Sequence, residues 1–229
     1  MKQIGFFGVF DKKDLILNIA KVLASLNAKP LVVDATSLQR MRYIVPNVSN
    51  NRGMSYVSEY AGVDCAVGFM NLGQIAAYLG TNNTLPYDII LIDSDNIQTM
   101  ASYAYPRLEK IFFVTSYDQY EINKCYEILS AINQPMKVTK VLFSADLETS
   151  QERALSNVLS KTSLQAEDIA IQFADSNIDR KEFLQNQLTK NITLKHCTAQ
   201  YKGSLEYITS IISEGLLNQA DIKRIIKKM

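Results

Sequence analysis

The sequence predicts an α/β protein: a doubly wound, mostly parallel sheet flanked by helices. Three observations point there. Short apolar runs recur from one end of the chain to the other, each continuous rather than alternating, as in strands covered on both faces. Stretches of helical periodicity stand between them, with mostly short connections. The 229 residues are 47% hydrophobic and carry no Pro/Gly/Ser-rich linker or repeat, which suits a single domain over residues 1–229.

Taken in order, the strand signals are QIGFFG (3–8), PLVVDA (30–35), YDIILID (87–93), KIFFVTS (110–116), KVTKVLFS (137–144) and DIAIQFA (168–174). Residues 14–26 read as a helix with Leu15, Ile19, Val22, Leu23 and Leu26 on one face. A second helix over 71–79 is bounded by Asn71 as cap and Gly80 as stop. Residues 119–132 and 150–159 repeat the pattern. The stretch 41–70 is the least regular: SYVSEY and DCAVGF read either as an extra edge-strand pair or as an elaborated loop. At the end, ADIKRIIKKM (220–229) is a basic amphipathic segment, with Ile222, Ile225, Ile226 and Met229 on one side of a helix. It fits two roles, a weak contact with an anionic membrane or packing back onto the domain.

Composition excludes several functions. The 24 basic and 23 acidic residues leave a formal charge of +1, so bulk attraction to nucleic acid is not expected. The tyrosine pairs Tyr103/Tyr105 and Tyr117/Tyr120 lack the interleaved basic residues of a single-strand binder, and read as core-edge or interface residues. Three separated cysteines and one histidine, His196, rule out a Cys/His zinc cluster and most histidine-dependent nucleophilic schemes. The odd cysteine count, with no leader or membrane-span signal, leads us to expect a cytoplasmic protein, peripheral to the membrane if the tail binds there. Glycine is scarce, 9 of 229 against a usual share of about 7%. A backbone loop that wraps phosphates normally concentrates glycine.

In a doubly wound sheet, ligands bind beyond the C-terminal strand ends, and the loop after strand one is the first place to look. Here it reads Gly8-Val9-Phe10-Asp11-Lys12-Lys13-Asp14, followed by LILNIAKVLA and a strand ending in Asp34. This run resembles the deviant Walker A segment of the ParA/MinD-type P-loop ATPases: KGGxGKTT, an LxxNLAxxLA helix, then a strand ending DxD. YDIILIDSD is similar to the family's YDxIIID, KIFFVTSYDQYEINKC to its VxxVTTPxxxSLxxA, and FADSNIDRKEF to its IPYDxxVxEA. The resemblance implies a P-loop fold, a site for ATP or ADP, and a homodimer formed through the nucleotide face.

The departures bear on chemistry. Lys12 falls on the phosphate-binding lysine, and Asp34 and Asp93 on two acidic positions around nucleotide and metal. Phe7 replaces the lysine that reaches a partner's nucleotide, and Lys13 the hydroxyl that ligates Mg²⁺, where a cation repels the ion. Asp11 replaces a glycine, Asp14 a threonine, and Thr36 the water-positioning aspartate. Ser144 falls near the asparagine that reads adenine, and Asp175 lies in the late loop. No catalytic residue and no metal ligand is assigned. Phosphoryl transfer depends on positioning and charge neutralisation, so losing these groups removes most of the rate. The expectation is therefore a degenerate member, similar to the pilus-assembly TadZ-like branch. It would act as a non-hydrolysing or weakly hydrolysing scaffold that recruits protein partners of a pilus, secretion or conjugation machine. The alternative is an active ATPase for plasmid partition or cell-site selection, supported by Lys12, Asp34 and Asp93.

Overall fold

The computed structural model describes residues 1–47, 55–82, 84–144, 149–167 and 169–229, without the side chains of residues 149 and 150. Strands β1 (Lys2–Phe7), β2 (Pro30–Asp34), β3 (Tyr56–Tyr60), β4 (Val63–Val67), β5 (Ile89–Ser94), β6 (Lys110–Ser116), β7 (Met136–Ser144), β8 (Leu164–Ala166) and β9 (Ile171–Ala174) form one sheet. Its order is β3-β4-β2-β5-β1-β6-β7-β8, with β9 also pairing with β7. Every pair is parallel except β3–β4.

The continuous apolar strands are buried from both sides, as their pattern predicts. Phe6 faces one core together with helices α1 (Lys13–Ala24), α7 (Ala199–Ile212) and α8 (Gln219–Lys228). Phe7, the next residue, faces the other, with α2 (Leu72–Tyr78), α3 (Ile97–Ser102), α4 (Gln119–Ser130) and α5 (Thr149–Leu159). Each such fully buried Phe, Leu or Ile contributes roughly 1.5–3 kcal/mol relative to exposure. Alternation along β1 thus supplies both layers from adjacent residues. Phe7 stacks on Phe113 at 5.9 Å, so the position of the partner-reaching lysine belongs here to a core residue.

The irregular stretch resolves into an edge-strand pair. Ala61 (φ 53°) and Gly62 (φ 80°) form a two-residue turn with both residues left-handed, the turn whose twist matches an antiparallel hairpin. The hairpin then joins the sheet through β4, parallel to β2. Asn71 caps α2, accepting the Gln74 N–H at 3.0 Å, and Gly80 follows its end at φ 67°. The helix expected over 14–26 runs Lys13–Ala24, because Asn27 enters the left-handed region and ends it. Residue 168, in the last strand expected, lies outside the described residues.

Helix α8 packs back onto the domain. Ile222 and Ile226 are buried, Ile225 and Met229 lie against the same core, and the Leu194 N–H donates to the Met229 carbonyl at 3.0 Å. Its basic residues face outward near the helix C-terminus, where the dipole favours them. Among the described residues no helix is long and apolar enough to cross a membrane.

Candidate functional site

Parallel order brings the C-terminal ends of β1, β2 and β5 together, and their loops supply the site. Asp34 and Asp93 are register partners, so both carboxylates rise from adjacent strands beside the loop 8–14. Gly8 opens that loop at φ 142°, and a Cβ there would stand 1.9 Å from the Val114 carbonyl oxygen. Only glycine fits, because both the dihedral and the close approach exclude a side chain.

Lys12 is the N-cap residue of α1, yet its side chain is turned under the loop rather than into solvent. Its ammonium pairs with Asp93 Oδ1 at 2.7 Å and donates to the Gly8 carbonyl at 2.6 Å. Burial, with nearby Asp34 adding to it, raises the Asp93 carboxyl to about 7 even against the downward pull of Lys12. Asp34 is also buried, and its contacts are structural. One oxygen accepts the Thr36 N–H at 3.1 Å and hydroxyl at 2.6 Å, the other the Met41 N–H at 2.9 Å. Thr36, in the water-positioning place, therefore spends its hydroxyl on Asp34.

The loop rim is an ion-pair network. Asp11 Oδ2 takes Lys13 Nζ at 2.8 Å and Arg40 Nη1 at 2.6 Å, and its Oδ1 accepts the Lys13 N–H at 3.4 Å, in the first turn of α1. Lys13 reaches Asp14 at 3.1 Å, and Gln187 donates to the other Asp14 oxygen at 2.9 Å. Burial raises the Asp11 carboxyl, but Lys13 and Arg40 outweigh it and hold the group below the usual carboxylate range. Burial likewise opposes the Lys13 ammonium, while Asp14 and Asp11 raise it above its ordinary value. A helix N-terminus is a ready anion site. Here a carboxylate of the chain itself faces it.

Two cavities adjoin this network. The small cleft over Gly8–Lys13, Asp34 and Asp93 holds about 40 Å³, room for a few waters, against about 300–1,000 Å³ in small-molecule pockets. A larger groove of about 630 Å³ continues from Val9, Phe10 and Asp14 toward Asp118, Phe143 and Asp175. Ser144 and Asp175 meet at the ends of β7 and β9, where the Asp175 N–H donates to the Ser144 carbonyl at 3.2 Å. Asp175 lines the groove, whereas Ser144 is half-buried and is not among the residues that line either cavity. Phe10 stacks on Phe143 at 4.4 Å, closing the loop over β7 with a ring.

The residues present do not fit a Mg²⁺–nucleotide in this arrangement. The first turn of α1 faces Asp11, and the Mg²⁺ hydroxyl position is the Lys13 ammonium. Sequence reading placed Gly8, Val9, Phe10, Asp11, Lys12, Lys13, Asp34 and Asp93 around one cleft, and the fold brings them together. It missed Arg40 and Gln187, which lie 29 and 173 residues from their acidic partners with no local signal linking them.

No protein-family model matches the chain, and no curated protein sequence does. Solved structures do. A ParA family ATPase from Chlorobium tepidum TLS aligns over 90% of this chain and 97% of its own, at TM-score 0.59 and 15% identity. A chain of the MinC:MinD cell division protein complex of Aquifex aeolicus aligns over 95% and 98%, at 0.59 and 12%. A variant of Cyanothece McdA in complex with ATP aligns over 95% and 98%, at 0.57 and 11%. Strand order, the loop after β1 and these near end-to-end alignments agree: the chain has the P-loop fold of the ParA/MinD ATPases.

Proposed function

We propose that this protein is a pseudo-ATPase on the ParA/MinD fold, a non-hydrolysing or weakly hydrolysing module that positions a larger assembly. One observation carries the reading: the Asp11 carboxylate, clamped by Lys13 and Arg40, faces the helix N-terminus that a phosphate would need. A triphosphate must displace that carboxylate and break its ion pairs before any binding is gained. The proteins similar in fold include a chain of a cell-division protein complex, which supports a role in a larger assembly; a pilus, secretion or conjugation apparatus is the machine we propose.

The test is phosphate release from ATP with Mg²⁺, alongside calorimetric titration of ATP with and without the metal. The expected result is turnover absent or barely above buffer and no Mg²⁺-dependent binding. Clear turnover, lost in Lys12→Arg (which keeps the buried charge), would support instead an active ATPase built on Lys12, Asp34 and Asp93. The convergence of those three residues on one cleft is what keeps that second reading alive.

A further inference from the structure

The 630 Å³ groove next to the plugged cleft has the wrong charge for a nucleotide and a consistent chemistry for something else. Among the described residues, six carboxylates and three cations line it. Lys13 and Arg40 are already neutralised by Asp11 and Asp14, which leaves Asp118, Glu121 and Asp175 against Arg180, Asp179 being buried and bonded to Thr198. Asp175 is exposed and its side chain has no ion pair among the described residues. The walls are apolar, from Phe10, Phe143 and Phe183, and the rims carry Tyr120 at 70% and Leu184 at 54% exposure.

The rim helix α6 (Asn177–Thr189) is built inside out. It buries Asp179, Glu182 and Asn186, which bond the 193–198 segment: Asp179 accepts the Thr198 N–H at 2.6 Å, and Glu182 the Thr193 hydroxyl at 2.6 Å. Meanwhile Ile178, Leu184 and Leu188 are exposed, Leu188 at 79%. Scattered surface leucines are ordinary, and of these only Leu184 lines the groove; beside half-buried Phe183 it gives the groove an apolar contact on this rim.

We propose that this groove docks a basic, apolar-anchored segment of a partner protein, with Lys or Arg beside Leu, Ile or Phe. The inference rests on the reading that no nucleotide occupies the cleft. Charge complementarity selects the occupant. A polyanion meets net negative charge, and a second copy placed symmetrically sets the same acidic groove against itself. A segment pairing cations with a hydrophobic stripe satisfies both the rim and the walls.

The probe is a labelled amphipathic peptide of Leu and Lys, followed by fluorescence anisotropy with the full chain. Two controls accompany it: the same peptide with Glu for Lys, and polylysine. Saturable binding of the Leu/Lys peptide alone is expected. It should weaken roughly tenfold in Asp175→Lys and in Leu184→Glu, both surface changes whose folding is checked by circular dichroism. Equal binding by wild type and both variants, equal binding of polylysine, or no binding overturns the assignment. ATP turnover is read in the same samples. Clear Mg²⁺-dependent turnover sinks the pseudo-ATPase reading, whereas absent peptide capture without it sinks only the groove.

Discussion

The floor and the rim of the loop after β1 use the same residue types to opposite effect. On the floor, Lys12 and Asp93 are buried, 1% and 4% exposed at their side chains, and each is the other's charge partner. On the rim, Asp11, Lys13, Asp14 and Arg40 are partly exposed and share their charges around a network. Two charges taken out of water depend on each other, and losing one strands the other at a cost of about 3–5 kcal/mol. Solvated pairs at a rim are each worth about 1 kcal/mol or less. The floor therefore holds the loop in shape, while the rim decides what the loop can admit.

The largest effect on this contrast comes from Gly8→Ala. Its Cβ would overlap the Val114 carbonyl, at a dihedral alanine avoids, so a loss on the order of 4 kcal/mol or more is expected in denaturant unfolding. Next is Lys12→Met, which leaves Asp93 buried without its partner and should cost about 3–5 kcal/mol. Its pH dependence is distinctive. The Asp93 carboxyl is raised in the fold to about 7 from an unfolded value near 3.8, so the folded state holds the proton more tightly. That contribution is full below the unfolded value and is lost as pH rises through about 7. Without Lys12 the carboxyl should titrate higher still, measurable by carboxyl ¹³C NMR, and the variant should be weaker relative to wild type at about pH 9 than at about pH 5. An Asp93 signal titrating near its unfolded value in wild type would refute this account of the floor.

Rim substitutions should act on binding more than on stability. Asp11→Gly frees the Lys13 N–H, Lys13 and Arg40 together. Stability should change by about 1 kcal/mol or less, but calorimetry with pyrophosphate should detect binding that wild type lacks. Failure of the variant to gain any anion affinity would show that Asp11 is not what closes the site. The smallest effect is expected from Arg40→Gln, about 0.5 kcal/mol in a melt, since its guanidinium is half-exposed and Lys13 remains on Asp11.

Much of the fold was legible because its strands are buried on both faces and so appear as unbroken apolar runs. Helix α1 was legible for the matching reason, its apolar residues falling at helical spacing. Helix α6 was not, since it buries Asp179, Glu182 and Asn186 and exposes leucines, a pattern that periodicity reads as no helix face at all. The basic tail was ambiguous, because an amphipathic stripe looks the same whether it meets a lipid or a core. Burial of Ile222 and Ile226 places it on the core.

The chain's sequence by itself determined the parallel sheet, the loop with its single surviving glycine at Gly8, and the replacement of every small or hydroxyl residue behind it. Those follow from local pattern and residue identity. Only the tertiary structure decided what the replacements do. Whether Lys12 points to solvent or to Asp93, and whether Asp11 finds Arg40, depends on strands and loops far apart in sequence being brought within hydrogen-bond reach. Charge energies fall steeply with distance and with water between the groups, so they are set by the fold and not by the order of residues.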